Sequence, residues 1–390
     1  MNILLDKRKF YYFDSAATTF MCDMALQKYN EFQHNISVLW GKGNNILAES
    51  SKKIFDDSVK ILQKHFNISD DYSLILGKNV TEIVNIIAYS IMELLNPLDI
   101  ILVGPYEHHS NFLPWKYIAR KTGALFIEMP INIKSGDIDI NYISSISDRV
   151  KVVSYSTVSN TNAYSINIEK ISNLFKNNRD ILIFTDESQK IAHSNIEISN
   201  IISGYILSSH KMYGPKNIAG AFIRNDLIEK MKPIFLGGGM IELQQFDDVW
   251  ADREYKFYSG TFDVGLILAW AQACKYLESI SYNNIKKIEK KYYNKIKEFL
   301  EKNNDVKIIN NKYSSNSLIS FVHSKIHSHD IEDWLSNENI IIRSGHMCAQ
   351  NALRKIGYNS INRISFGLNI KKNDIQILCS SLEKCFKKLG

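Results

Sequence analysis

Between residues 72 and 224, short apolar, β-branched runs alternate with longer stretches whose apolar residues recur at helical spacing. Runs at 72–76, 100–104, 124–129, 151–156, 181–186, 205–208 and 219–224 predict strands. Several are continuous rather than alternating, which is how strands covered on both faces read. Between the first two, Ile83, Ile86, Ile87, Ile91 and Leu94 fall at i, i+3, i+4 positions and predict a helix over 81–95. Strand–helix–strand alternation over this length predicts a large α/β domain around a mainly parallel sheet.

After Gly260 the pattern changes. Residues 264–302 predict one or two long helices, with Ile285, Ile288, Tyr292, Ile296 and Phe299 on one face. Weaker strands at 306–309, 317–323, 340–343 and 363–366, then a closing helix at 372–389, predict a smaller α+β unit. No internal repeat or low-complexity linker interrupts the chain.

Composition removes several classes. With 390 residues, 45% hydrophobic and 23% charged, the chain is globular rather than disordered or fibrous. Lys+Arg 47 against Asp+Glu 41 leaves +6, spread along the sequence, so no nucleic-acid partner is expected. The Lys-rich run at 286–297 reads as a solvated helix face. Cys22, Cys274, Cys348, Cys379 and Cys385 form no CxxC pair, which predicts neither a disulfide framework nor an intrinsic metal site. Leu4-Leu5 gives way at once to Asp6-Lys7-Arg8, too short for a signal peptide, and no apolar stretch approaches the ~20 residues of a membrane span. A cytoplasmic protein without a membrane partner is expected.

Ligands of open α/β sheets collect beyond the carboxyl ends of the strands, so the residues just after each run matter most. Gly77-Lys78-Asn79-Val80-Thr81 opens a helix, which reads either as a phosphate site or as a plain capped turn. Glu107-His108-His109-Ser110-Asn111 offers a flat imidazole for an aromatic ligand; adjacent histidines do not converge on one metal ion. Val158-Ser159-Asn160 offers a hydrogen-bond donor. Asp186, behind the apolar Ile181-Leu182-Ile183-Phe184, must find a cation. Lys211, preceded by Ser208-Ser209-His210, is out of place as a solvated charge. An Asp and a Lys at two strand ends form the pair that pyridoxal phosphate needs. The lysine makes the Schiff base and the carboxylate keeps the ring nitrogen protonated.

The blocks Asp14-Ser15-Ala16-Ala17-Thr18-Thr19, Glu107-His108-His109-Ser110-Asn111, Ser208-Ser209-His210-Lys211-Met212-Tyr213-Gly214-Pro215, Gly237-Gly238-Gly239-Met240-Ile241, Ser259-Gly260-Thr261 and Arg343-Ser344-Gly345-His346-Met347-Cys348-Ala349, with Arg363, span nearly the whole chain. Together they resemble the class V aminotransferase family of fold-type I pyridoxal-phosphate enzymes, and within it the SufS-type (group II) cysteine desulfurases. The resemblance implies an α/β large domain, 15–278, with a mainly parallel seven-stranded sheet. It also implies a small domain, 279–390, on which segment 1–14 packs. It makes Lys211 the Schiff-base lysine, Asp186 the partner of the pyridine nitrogen and His108 the residue stacked on the ring. Gln189 and Asn160 reach the ring O3′, and Thr81, Ser208 and His210 hold the phosphate. Thr261 arrives from a second subunit. Arg363 clamps the substrate carboxylate, with Asn160 and Arg343 beside it, and Cys348 takes the sulfur, with His346 and Arg343 as candidates to favour its thiolate. The other four cysteines stay structural.

The chain departs from that pattern at Asn79-Val80-Thr81, which loses one hydroxyl donor, and at Gly41-Lys42-Gly43-Asn44-Asn45. Further departures are Met347 in place of a second histidine, Phe262 in place of a proline, and Leu368-Asn369. The resemblance implies a homodimer that converts L-cysteine to L-alanine. A persulfide forms on Cys348 and passes to a SufU-like or SufE-like acceptor for Fe–S assembly. The alternatives are a selenocysteine lyase or another class V lyase or aminotransferase, in which an aminotransferase would need no thiol at Cys348, and a non-catalytic partner protein. In His327-Ser328-His329-Asp330, His329 resembles the histidine that exchanges a zinc position with a SufU-like acceptor. The same residues also read as two surface histidines opening a helix.

Overall fold

Seven strands build the central sheet: β1 (Tyr72–Gly77), β2 (Ile100–Val103), β3 (Leu125–Glu128), β4 (Val150–Ser156), β5 (Leu182–Asp186), β6 (Gly204–Ser208) and β7 (Ala219–Arg224). This computed structural model describes residues 3–5, 8–38, 45–132, 137–176, 178, 180–243 and 249–390. The spatial order is β1-β7-β6-β5-β4-β2-β3, and only β7 runs antiparallel to its neighbours. Continuous apolar runs make sense here because both faces are covered. Along β2, Ile101 and Val103 pack with the helices Val80–Ser90 and Leu113–Thr122. Ile100 and Leu102 face the opposite core, filled by Val264–Ile280 and by Asp23–Asn35 and Ile46–Phe66.

The smaller unit is an antiparallel sheet of β8 (Val306–Ile308), β9 (Leu318–His323), β10 (Arg343–Gly345) and β11 (Ile361–Ser365), in the order β8-β9-β11-β10. Helices Tyr282–Leu300, Ser328–Asn337 and Lys372–Leu389 back it through Ile296, Leu335, Leu378 and Leu382. The strand Arg8–Tyr12 pairs in parallel with Ile340–Ile341, and Phe13 is buried in the same core. The chain then crosses from this unit to the carboxyl edge of the central sheet through Asp14.

Several boundaries differ from the sequence reading. The helix expected over 81–95 ends at Ser90 and gives way to a single 3-10 turn, Met92–Leu94, before Pro97. Of the one or two helices expected over 264–302 there are two, Val264–Ile280 and Tyr282–Leu300, parted at Ser281, whose φ of +69° leaves the helical region. Its side chain then caps the next helix by accepting from Asn284 N. The strand expected at 340–343 is two short ones: Ile340–Ile341 serves the N-terminal strand and Arg343–Gly345 serves β11, with buried Ile342 at the switch. Helices Asp23–Asn35 and Ile46–Phe66 lie outside the pattern read from the sequence. The first buries only Ala25 and Phe32, so its apolar period is faint. Of the departures at 41–45, residues 41–44 lie outside the described residues. Asn45 accepts hydrogen bonds from Leu47 N and Ala48 N and so caps the second helix.

Candidate active site

A cavity of about 270 Å³ opens beyond the carboxyl ends of the central strands. Ser156, Asp186 and Ser208, the last residues of β4, β5 and β6, line it, as do His108 and Thr81 from the segments after β2 and β1. The small unit closes it with Arg343, Met347, Cys348 and Arg363. Thus Lys211, Asp186, His108, Asn160, Gln189, Ser208, His210, Thr81, Arg343, Arg363 and Cys348 all line one space. Thr261 does not: it borders a separate depression with Lys78 and Ser259.

Asp186 is buried, and its Oδ1 accepts the Ser188 N–H at 2.9 Å. Lys211 ends the single 3-10 turn Ser209–Lys211 after β6, and among the described residues its amine has no hydrogen-bond or ion-pair partner. Burial lowers its pKa while Asp186 pulls the other way. A lowered amine pKa raises the neutral fraction, the form that acts as nucleophile or base.

Two histidines are held neutral. His108 Nδ1 accepts from Ser110 N at 3.1 Å and from Ser110 Oγ at 2.8 Å, which leaves the ring proton on Nε2. Burial, aided by the Lys211 charge, pushes its pKa down to about 3. His210 Nδ1 lies 3.1 Å from Thr18 Oγ1, and burial takes its pKa down to about 4. Its backbone carbonyl accepts the Thr19 N–H at 2.8 Å, tying the lysine turn to the N-terminal segment.

Cys348 sits in a strained loop. Met347 and Cys348 have φ of +55° and +51°, a conformation that costs about 1–2 kcal/mol each for residues with a side chain. Asn160 Nδ2 donates to Met347 O at 2.8 Å and His109 N donates to Cys348 O at 2.7 Å, and these two clamps hold the loop. Cys348 is exposed, whereas Cys22, Cys274 and Cys385 are buried and Cys379 is half-buried. Burial raises the thiol pKa of all four others, to about 11 for Cys379 and Cys385.

Arg363 is 2% exposed, donating to Asn160 O at 2.8 Å and to Asp14 Oδ1 at 2.7 Å. Arg343 reaches the other oxygen of the same carboxylate, Nε to Oδ2 at 2.9 Å. Gln189 donates to Ala16 O at 2.8 Å. His329 is exposed and is not among the residues lining the cavity; its Nδ1 lies 2.7 Å from Ser344 Oγ, and the ring of His327 accepts the His329 N–H and caps helix Ser328–Asn337. His346 Nδ1 accepts from Cys348 N at 3.2 Å.

Asp14 and Glu107 are among the buried carboxylates that were given no individual role from the sequence. Glu107 accepts from Ser156 N, Ser156 Oγ and Asn111 Nδ2 at 2.6–2.7 Å. Burial nonetheless pushes its pKa up to about 7, with nearby Asp186 acting in the same direction. A charged residue four positions after the apolar strand Ile100–Val103, at the carboxyl end of the sheet, is the signal that marks Glu107.

A half-buried lysine and a buried aspartate on adjacent strand ends, lining one cavity with a neutral imidazole and a helix start, define the class: a fold-type I pyridoxal-phosphate enzyme. The family model for class V aminotransferases matches residues 11–378, and the chain belongs to that family, whose members use pyridoxal phosphate. Among curated relatives, a cysteine desulfurase of Wigglesworthia glossinidia brevipalpis is 28% identical over 390 residues, covering 97% of this chain and 93% of that one. A probable cysteine desulfurase of Halalkalibacterium halodurans is 26% identical over 383 residues, covering 97% and 94%. Among solved structures, the apo cysteine desulfurase of Thermococcus onnurineus superposes with a TM-score of 0.89 at 24% identity, covering 97% and 95%. The cysteine desulfurase CsdA of Escherichia coli gives 0.88 at 23% identity, covering 98% and 96%.

The side chains fit the cofactor. Ser208 Oγ, Ser188 Oγ and Asn160 Oδ1 line the cavity, are buried and lack a hydrogen-bond partner within the chain. Buried polar atoms left open in this way call for a polar ligand.

Proposed function

We propose that this chain is a cysteine desulfurase, converting L-cysteine to L-alanine and taking the sulfur on Cys348. One observation carries the reading: the exposed thiol of Cys348 opens onto the same cavity as the partnerless amine of Lys211 and the guanidinium of Arg363. A transaminase has no use for a thiol there.

Pyridoxal phosphate, when bound, supplies an electron sink for negative charge at the substrate α-carbon. Thr81, Ser208 and His210 would hold its phosphate, joined by Thr261 of a second subunit, a reading consistent with Thr261 lying outside the cavity of its own chain. His108 would supply the flat face for the ring, and its pKa of about 3 makes it too weak a base to compete with Asp186 for the ring proton. Asp186 would keep the ring nitrogen protonated, and Gln189 and Asn160 would serve the phenolic oxygen. Arg363 binds the substrate carboxylate, with Arg343 beside it. Lys211, whose lowered pKa leaves more of its amine in the neutral, proton-accepting form, removes the α-proton and returns one to the product. The Cys348 thiolate attacks the substrate sulfur: an S–S bond forms as the C–S bond breaks, and the electron pair stays on the departing carbon. That carbon takes a proton and leaves as L-alanine, so the enzyme is left as the persulfide.

In this reading 15–278 and 279–390 act as large and small domains, with 1–14 packed on the latter, and the enzyme is a cytoplasmic homodimer. The persulfide sulfur passes to a SufU-like or SufE-like acceptor for Fe–S assembly, and the exposure of His329 beside Ser344, next in sequence to the cavity residue Arg343, supports a role in meeting a zinc-bearing one. Among the described residues no helix is long and apolar enough to cross a membrane. The test is to measure alanine and sulfide from L-cysteine, with and without a thiol reductant. Alanine formation with reductant-dependent sulfide release supports the desulfurase, and keto acid in place of alanine overturns it.

A further inference from the structure

Arg343 and Arg363 stand directly opposite each other on the antiparallel strands β10 and β11. Like charges at facing positions repel, and here both side chains reach the same cavity. Asp14 resolves the conflict. Its Oδ1 accepts from Arg363 at 2.7 Å and its Oδ2 from Arg343 at 2.9 Å, so each oxygen holds one guanidinium. The carboxylate is 5% exposed. Its position is fixed by its neighbours: Phe13 is in the small-unit core, Asp14 bridges to Ser365, and Asp14 O accepts the Ala17 N–H at 3.0 Å. Arg363 keeps one buried donor, Nε, without a partner.

The charges add simply. Two guanidiniums and one carboxylate leave a single positive charge for whatever anion enters. That suits an amino acid with one carboxylate, and the arginine pair itself offers no further charge to neutralise a second acidic group on its side chain. We infer that Asp14 is a specificity-determining positioning residue: it sets the charge of the carboxylate-binding arginine pair and so selects against amino acids with an acidic side chain. The inference rests on the amino-acid-binding part of the proposed function and not on the fate of the sulfur.

The test follows the visible absorption of the holoenzyme on titration with L-alanine and with L-aspartate. In Asp14→Asn the ratio of apparent affinities moves toward L-aspartate by on the order of tenfold, the effect of one additional unit charge in a partly screened site. Adding Arg343→Gln to that variant returns the ratio to its wild-type value, which loss of structure alone would not do. Arg343→Gln by itself, at a half-exposed position, removes the net charge and weakens L-alanine binding by about tenfold, which keeps the idea testable if Asp14→Asn fails to fold. An unchanged ratio in a folded Asp14→Asn, or undiminished L-alanine binding in Arg343→Gln, overturns the inference. Alanine release from cysteine is measured on the wild type in parallel. A selectivity shift without alanine release leaves the Asp14 assignment standing and removes the desulfurase; alanine release without the shift does the reverse.

Discussion

Glu107 provides a sharp test of how the floor of the cavity is built. Three donors converge on its carboxylate and favour the charged form, yet burial and Asp186 outweigh them and raise its pKa from 4.5 to about 7. A carboxyl whose pKa is raised on folding binds its proton more tightly in the folded state. The stability this contributes is fully present below about 4.5 and is lost as pH rises through about 7. The ionised form therefore withholds about 3 kcal/mol, of which about 2–3 kcal/mol develops between pH 5 and pH 8. Glu107→Gln cannot titrate. The substitution also turns an amide donor toward Asn111 or Ser156, but that mismatch does not change with pH and cancels when two pH values are compared. Melting midpoints of wild type and Glu107→Gln, measured side by side from pH 5 to pH 8, should move against each other in favour of the variant. At about 1–2 °C per kcal/mol for a chain of this size, the change is roughly 2–6 °C. A protonated-carboxyl stretch lost in the variant, seen by infrared difference spectroscopy at pH 6, identifies the group. A difference in midpoint that stays constant over this range would refute the reasoning and mean that the three donors, not burial, decide the charge of Glu107.

Lys211→Ala should lose the visible absorption of the cofactor-bound protein and all alanine formation while keeping its fold by circular dichroism; a wild type that takes up no pyridoxal phosphate would contradict the assignment at its root. In Cys348→Ser the cofactor absorption stays and alanine formation drops by at least the 10²–10⁴-fold typical of losing a reacting group, because an alcohol cannot take the sulfur; alanine at the wild-type rate would mean the sulfur leaves by another route. Thr261→Ala should weaken cofactor retention, and sedimentation should show a dimer; an active monomer removes Thr261 from the site. His329→Ala should lose stimulation by a zinc-loaded acceptor yet keep turnover with a small thiol, and equal loss in both assays would make the histidine part of the basal machinery.

Much of this protein is legible in its order of residues. Runs at 72–76, 151–156 and 181–186 whose apolar residues do not alternate with charged ones mark strands that are buried on both faces, because a strand exposed to water on one side would have to alternate. Asp186 and Lys211 stand out for a related reason: a charge that ends such a run is carried indoors and needs a purpose. The lysine motif and the cysteine motif then point to the chemistry. Boundaries and weakly amphipathic helices were less legible. Asp23–Asn35 buries two side chains, too few to set a period, and the switch of strand partners at Ile342 depends on an N-terminal strand more than 300 residues away.

Residue identity alone determined the sheet, the lysine–aspartate pair and the one cysteine worth singling out. Only the tertiary structure decided which charges meet. That Asp14 lies between Arg343 and Arg363, that Asn160 and His109 hold the Cys348 loop, and that Glu107 is driven toward its protonated form are contacts made across 49 to 349 positions of sequence. No local pattern encodes them, because electrostatic energy depends on distance and burial in the folded chain, and both are set by how the two units pack.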